Sequence, residues 1–296
     1  DLQARIQVSL FSILEEKEIQ IRGFKLRIPL DIQFIFTANP EDYTNRGSIV
    51  TPLKDRIGSQ IITHYPHSLN IAKKITQQES KIFDSEIYVP ELAKDLIEEI
   101  NFAARKSEFV DFKSGVSARM SITSLQNLVS SAERRMIINN EKKTSIRMSD
   151  FNSVISSING KVELVYEGEE EGAEQVSYNL ISDAVKSLFN KYFPKIEKLS
   201  KPGEETPYDS LLEWFSQKQL VIGDSLNDNE YEKLLLEIID ARTIIDKYVK
   251  DLDDNDRFFF IEFILWGLES FNKLSILRTN NGIEFKDPFN NFINKI

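Results

Sequence analysis

Residues 31–58 read DIQFIFTANPEDYTNRGSIVTPLKDRIG, and the fold class turns on this stretch. Ile32, Phe34, Ile35 and Phe36 form a nearly continuous apolar run, the pattern of a strand covered on both faces in a parallel α/β sheet. Thr37, Ala38, Asn39 and Pro40 end it. Ligands of open α/β sheets lie beyond the carboxyl ends of the strands, so the Asn39 amide stands where it could hold a water or a phosphate oxygen. A turn asparagine before proline is the simpler alternative. Further on, Thr51 can cap a short helix with Pro52 at its first position and Gly58 as its stop. Arg56 then falls in the last turn. It reads either as a cation on its own helix C-terminus, paired with Asp55, or as a guanidinium offered to the γ-phosphate of a nucleotide held by a neighbouring subunit.

TANP, a polar loop and then PLKDRIG together resemble the second half of an AAA+ ATPase core of the magnesium-chelatase ATPase-subunit and MoxR type. The resemblance implies sensor 1 for Asn39 and the arginine finger for Arg56, with Asp55 matching the acid that precedes the finger. It also implies ATP and Mg²⁺ for the full-length protein and a ring of identical subunits hydrolysing ATP between them. Partners of this family often include a protein with a von Willebrand A domain.

Upstream, Ile6, Leu10, Ile13 and Leu14 lie on one helical face, so the opening residues to Glu16 read as an amphipathic helix. Asp1 falls inside that pattern, as expected of a fragment. Ile19 and Ile21, then Phe24, Leu26 and Ile28, alternate on either side of Arg22-Gly23, the mark of a two-residue β-hairpin. It carries Lys17, Arg22, Lys25 and Arg27. As a sequence it is a charged, solvated edge hairpin; by resemblance it projects toward the pore of the ring.

Downstream, Gln60 to Tyr65 reads as another strand, ended by Pro66. His64 and His67 flank Tyr65-Pro66 in a geometry unsuited to a metal pair, so no metal site is expected. Ser68 can cap a helix to about Glu79, and Pro90 opens one carrying Leu92, Leu96 and Ile100. Ile122, Leu125, Val129, Ala132 and Met136 mark a third, and Ser149 can cap a fourth ending at Asn159-Gly160. Four helices in this order resemble the AAA+ lid. Arg119, in SGVSARMSI, matches the family's sensor 2 arginine, which reaches the nucleotide from the lid. A cation at a helix N-terminus opposes the macrodipole and wants an anion; screening by Glu133 or Asp111 is the alternative.

Lys161 to Tyr166 alternates like a strand, and the acidic run Glu167 to Glu174 reads as a solvated linker. Val176 to Phe193 is a helix. After a linker at Lys201 to Pro207, helices are expected near Tyr208 to Lys218, Asn229 to Lys250 and Asp254 to Leu277. The run Phe258 to Trp266, broken by Glu262, is too short for the ~20 residues of a membrane helix and reads as a buried one.

The 296 residues, 41% hydrophobic and 28% charged, suffice for two or three domains. A formal charge of -10 argues against a general nucleic-acid-binding surface. Without cysteine, disulfides and thiolate chemistry are excluded. The cytoplasm is the default compartment. A Gly-rich phosphate loop is absent: Gly160-Lys161 is followed by Val162, with Ile155 where its first glycine belongs. Nor does an apolar strand end in a Walker B acid pair, so the resemblance covers about residues 1–160.

The expected fold is mainly α with an α/β portion. Its parts are the second half of an AAA+ core with the hairpin (1–66), a helical lid (67–160), an acidic linker and connecting helix (161–206), and a C-terminal helical module (207–296). The expected function is that of the C-terminal portion of a chelatase/MoxR-like ATPase, inactive alone, whose parent remodels a partner or drives metal insertion. The alternative is a non-catalytic helical adaptor with degenerate AAA+ elements.

Overall fold

The computed structural model describes residues 4–27, 33–37, 49–82, 86–196, 206–250, 252–279 and 281–288. Helix accounts for 56% of it and strand for 11%, so the fold is mainly helical with small sheets. The chain divides into two compact units, Asp1–Tyr65 and Pro66–Ile296.

The first unit begins with two short helices, α1 (Ala4–Ser9) and α2 (Phe11–Glu15), followed by the antiparallel strands β1 (Glu18–Ile21) and β2 (Phe24–Arg27). Arg22 and Gly23 both take positive φ, 48° and 89°, the turn that matches the twist of a tight hairpin. Helix α3 (Thr51–Lys54) is entered from Val50, not Thr51, and has no side-chain cap. The buried Gln7 amide oxygen instead accepts from the Val50 N–H at 2.9 Å.

The single opening helix expected to Glu16 is split into α1 and α2, and the two expected strands do not form among the described residues. Residues 33–37 and 60–65 form no strand among the described residues, and their apolar side chains face solvent: Ile35 is 82% exposed and Ile61 90%. A strand needs a ladder partner as well as an apolar pattern, and the pattern by itself does not supply one. Phe34 and Phe36 merely stack on each other, ring centroids 6.2 Å apart.

In the second unit, α4 (Leu69–Glu79) starts at Ser68, whose hydroxyl accepts from the Ile71 N–H. The strand β3 (Ile87–Tyr88) leads into α5 (Glu91–Ala104), and α6 (Arg119–Ile138) leads to β4 (Thr144–Ser145), which pairs parallel with β3. A 3₁₀ turn at Met148–Ser153 precedes α7 (Val154–Asn159). That turn is entered at Arg147, where the Asp150 carboxylate accepts from the backbone N–H, so Ser149 is not the cap.

The acidic run is a docked helix rather than a linker. Residues Tyr166–Glu171 form α8, whose glutamates face water while Gly168 packs so tightly that an added Cβ would stand 2.6 Å from the Phe109 carbonyl oxygen. Of the strand expected at 161–166 there remains one bridge, Leu164 to Val110.

Helix α9 (Ala173–Tyr192) is the spine, with Val176, Leu180, Ala184, Leu188 and Phe189 buried. Then come α10 (Asp209–Gln217), β5 (Leu220–Gly223), α11 (Asp228–Leu236), α12 (Ile239–Tyr248) and α13 (Asp254–Ser270). The single helix read over 229–250 breaks at the buried Ile238, with ψ 70°.

The helix read to Leu277 ends at Ser270, and β6 (Ser275–Thr279) and β7 (Gly282–Lys286) follow. These strands form an antiparallel sheet of order β5-β7-β6, which the sequence reading of a purely helical module missed. Leu220, Phe285 and Ile276 lie in one row across it, on the face that packs into the core. A continuous apolar core runs from Ile87 to Phe285, so the segments 67–160, 161–206 and 207–296 all contribute to it.

Candidate functional site

Arg56 lies just beyond α3, where the helix leaves carbonyls unpaired. Its Nη1 donates to the Pro52 carbonyl at 2.6 Å and its Nη2 to Glu15 Oε2 at 2.9 Å, while its guanidinium carbon sits 4.8 Å from the Phe11 ring centroid. The side chain therefore caps its own helix and pairs with Glu15 rather than with Asp55. Asp55 is exposed and makes no ion pair among the described residues. An ion pair this open to water is worth about 1 kcal/mol or less, so releasing the guanidinium toward a stronger anion costs little.

Asn39 lies outside the described residues. Arg119 belongs to the second unit, as the first residue of α6. It is exposed, and its guanidinium has no hydrogen-bond or ion-pair partner among the described residues. Of the expected screening acids, Asp111 accepts from the Lys113 N–H at 2.8 Å, and neither it nor Glu133 forms an ion pair with Arg119 among the described residues.

Beneath Arg119 the helix start is pinned by a buried polar network. Glu98 on α5 accepts from the Thr76 hydroxyl at 2.6 Å and the Ser121 hydroxyl at 2.9 Å. Asn101 donates to Ser121 Oγ at 2.7 Å, and Arg105 Nε donates to the Val116 carbonyl at 3.1 Å. Burial pushes the Glu98 carboxyl above its usual range, resisted by the hydrogen bonds from Thr76 and Ser121. The result is a helix start held by buried hydrogen bonds, with the Arg119 guanidinium unpaired among the described residues.

Comparison with protein-family models, curated proteins and solved structures returns no match. Asp55 and Arg56 thus stand in one unit and Arg119 in the other, and neither unit brings all the predicted residues together.

A second concentration of charge escaped the sequence reading. Arg135 on α6 donates to Asp150 at 2.6 Å and to the Ser145 carbonyl at 2.7 Å. Arg147 donates to Asp228 at 2.8 Å and to the Leu226 carbonyl at 2.9 Å, and stacks 4.0 Å from the centre of the Tyr231 ring. Tyr231 in turn donates to Glu262 at 2.7 Å. In front of this network lies an open groove of about 740 Å³, lined by β3, β4 and residues including Lys143, Arg147, Tyr231, Glu232 and Phe258. The one signal in the sequence was Glu262, a lone carboxyl inside FFFIEFILW. Arg135, Arg147, Asp150 and Asp228 carry no such signal, because each finds its counter-ion at a distance in sequence, Asp150 for Arg135 and Asp228 for Arg147.

Proposed function

We propose that this chain is the C-terminal portion of an AAA+ ATPase of the chelatase/MoxR type, comprising the second half of its α/β core and its lid. Asn39 then orients the attacking water, Arg56 reaches the γ-phosphate of a neighbouring subunit, and Arg119 couples nucleotide state to lid position. Asp55 matches the acid that precedes the finger in that family. ATP and Mg²⁺ are the cofactors of the complete protein, held by a phosphate loop this chain does not contain, and its work is to remodel a partner, with a von Willebrand A domain protein as one class.

The observation that carries this reading is the first unit's surface. The two segments with strand-like sequences, 33–37 and 60–65, form no strand among the described residues and leave Ile35, Ile61 and Ile62 exposed, and Leu53 is the unit's one buried aliphatic side chain among the described residues. Such segments fit half of a sheet whose other half is supplied from elsewhere. The second support is Arg119, unpaired among the described residues at a helix start held by buried hydrogen bonds. The adaptor reading draws on a different observation, the engagement of Arg56 by Glu15, Pro52 and Phe11.

The coding sequence upstream of Asp1 tests the choice. A GxxxxGK[ST] loop and an apolar strand ending in an acid pair are expected there, and an initiator codon directly before Asp1 would replace the ATPase with the adaptor. Purified chain is expected to hydrolyse no ATP. Turnover that disappears with Arg56→Ala would show that the 296 residues hold a complete site after all.

A further inference from the structure

We propose that Glu262 and Trp266 form a proton-operated switch at the joint of α11, α13 and the Met148–Ser153 turn, in which loss of the carboxyl proton to solvent draws the indole N–H onto Glu262 Oε1. Glu262 is wholly buried at 0% exposure in α13, within the apolar run Phe258 to Trp266. Its Oε2 accepts from the Tyr231 hydroxyl at 2.7 Å and from the Met148 N–H at 3.1 Å, so one carboxyl oxygen ties three elements together. Among the described residues its Oε1 accepts no hydrogen bond, and the buried Trp266 Nε1 donates none. The two groups lie one turn apart on one helix face, close enough for the indole to lower the carboxyl's proton affinity without completing a hydrogen bond.

A buried acceptor and a buried donor left open side by side are costly in either protonation state. Only the ionised carboxylate makes their bond strong enough to repay the movement, because charge-assisted bonds are about twice as strong as neutral ones. The groups facing the carboxyl set where the change falls. Tyr231 from α11 donates to it, Asp150 from the 3₁₀ turn opposes its ionisation, and Arg147 beside that turn favours it. From α9 it is Phe189 that meets α13, through Phe263, while α12 meets its first turn through the exposed Asp246–Arg257 pair. Arg278 on β6 lies 5.5 Å from the Trp266 ring centre. Burial is the largest influence and lifts the carboxyl to about 7, so the switch operates across neutral pH.

The chain has two tryptophans, so Trp214→Phe leaves Trp266 as the sole reporter. Its fluorescence is expected to change in one step with a midpoint near the carboxyl's value of about 7, and Glu262→Gln in the same background is expected to abolish the step. A step of unchanged midpoint in the Glu262→Gln protein, or no step between about pH 5 and pH 9, overturns the proposal. Should Trp214→Phe fail to fold, wild-type chain labelled with ¹³C at glutamate carboxyls reads the same event. The resonance missing from Glu262→Gln is expected to titrate near neutrality together with the indole ¹⁵N–H shift of Trp266. Titration of the carboxyl with an unmoved indole resonance would equally refute the switch.

Discussion

Arg135 and Arg56 both pair with a carboxylate, yet their energetics differ because one pair is out of water and the other is in it. The side chains of Arg135 and Asp150 are 4% and 6% exposed, against 26% and 55% for Arg56 and Glu15. Asp150→Ala leaves a buried guanidinium without its counter-ion, and the expected loss is about 3–5 kcal/mol, read as a lower urea midpoint. Arg56→Ala is expected to shift that midpoint by less than about 1 kcal/mol. An activity defect of Arg56→Ala in an assembled ATPase would then report on chemistry and not on folding.

Glu262 links stability to pH with a definite sign. Its folded-state value, about 7, lies above its ordinary 4.5, so the folded chain holds the proton more tightly. The associated stability is fully present below 4.5 and is lost as pH rises through about 7. Glu262→Gln is expected to flatten this part of the pH–stability curve, measured by urea denaturation at several pH values. A full pH dependence surviving in the variant would place its source in other groups.

Among the elements, α13 shows how close packing restricts sequence. Gly267 sits where a Cβ would come within 2.1 Å of Phe189 Cδ2, so α9 and α13 approach through this residue. Alanine improves helix propensity by about 1 kcal/mol, but overpacking against a ring that itself contacts Phe193, Tyr208, Phe263 and Phe271 outweighs it. Gly267→Ala is expected to destabilise by about 1–3 kcal/mol in thermal or urea unfolding. Periodicity and caps made most helices legible, since Ser68, the α6 apolar face and Arg22-Gly23 act locally. The β5-β7-β6 sheet was missed although Ile276 and Arg278, then Ile283 and Phe285, alternate around Asn281-Gly282. A helical reading of the preceding apolar run was carried past its end at Ser270.

Across the whole molecule, apolar burial is unequal. Residues 66–296 share a continuous core, whereas the first unit leaves Phe24, Ile35, Ile61 and Ile62 in water. A fragment spanning 66–296 is expected to unfold cooperatively with a melting temperature within a few degrees of that of the full chain. Protease is expected to cut first in the first unit or near Tyr65-Pro66. A fragment that fails to fold would show that residues 1–65 contribute to the core of the second unit. The position of Arg56 and Arg119 at helix ends was legible because local rules mark those ends. Their surroundings were not, because Glu15 lies far from Arg56 in sequence and Glu98 far from Ser121.

What the sequence by itself determined is local: the presence of most helices and the Ser68 start, the hairpin turn, the absence of cysteine and of a phosphate loop, and the apolar character of α13. Tertiary structure alone decided which strand-like segments found partners, which charges were drawn inside, and that a carboxyl at 262 would meet Tyr231 and the Met148 N–H. The division is physical. A turn or a cap is closed by residues a few positions apart, but a ladder partner or a buried counter-ion comes from anywhere in the chain, and its free energy depends on exclusion of water that no short window of sequence contains.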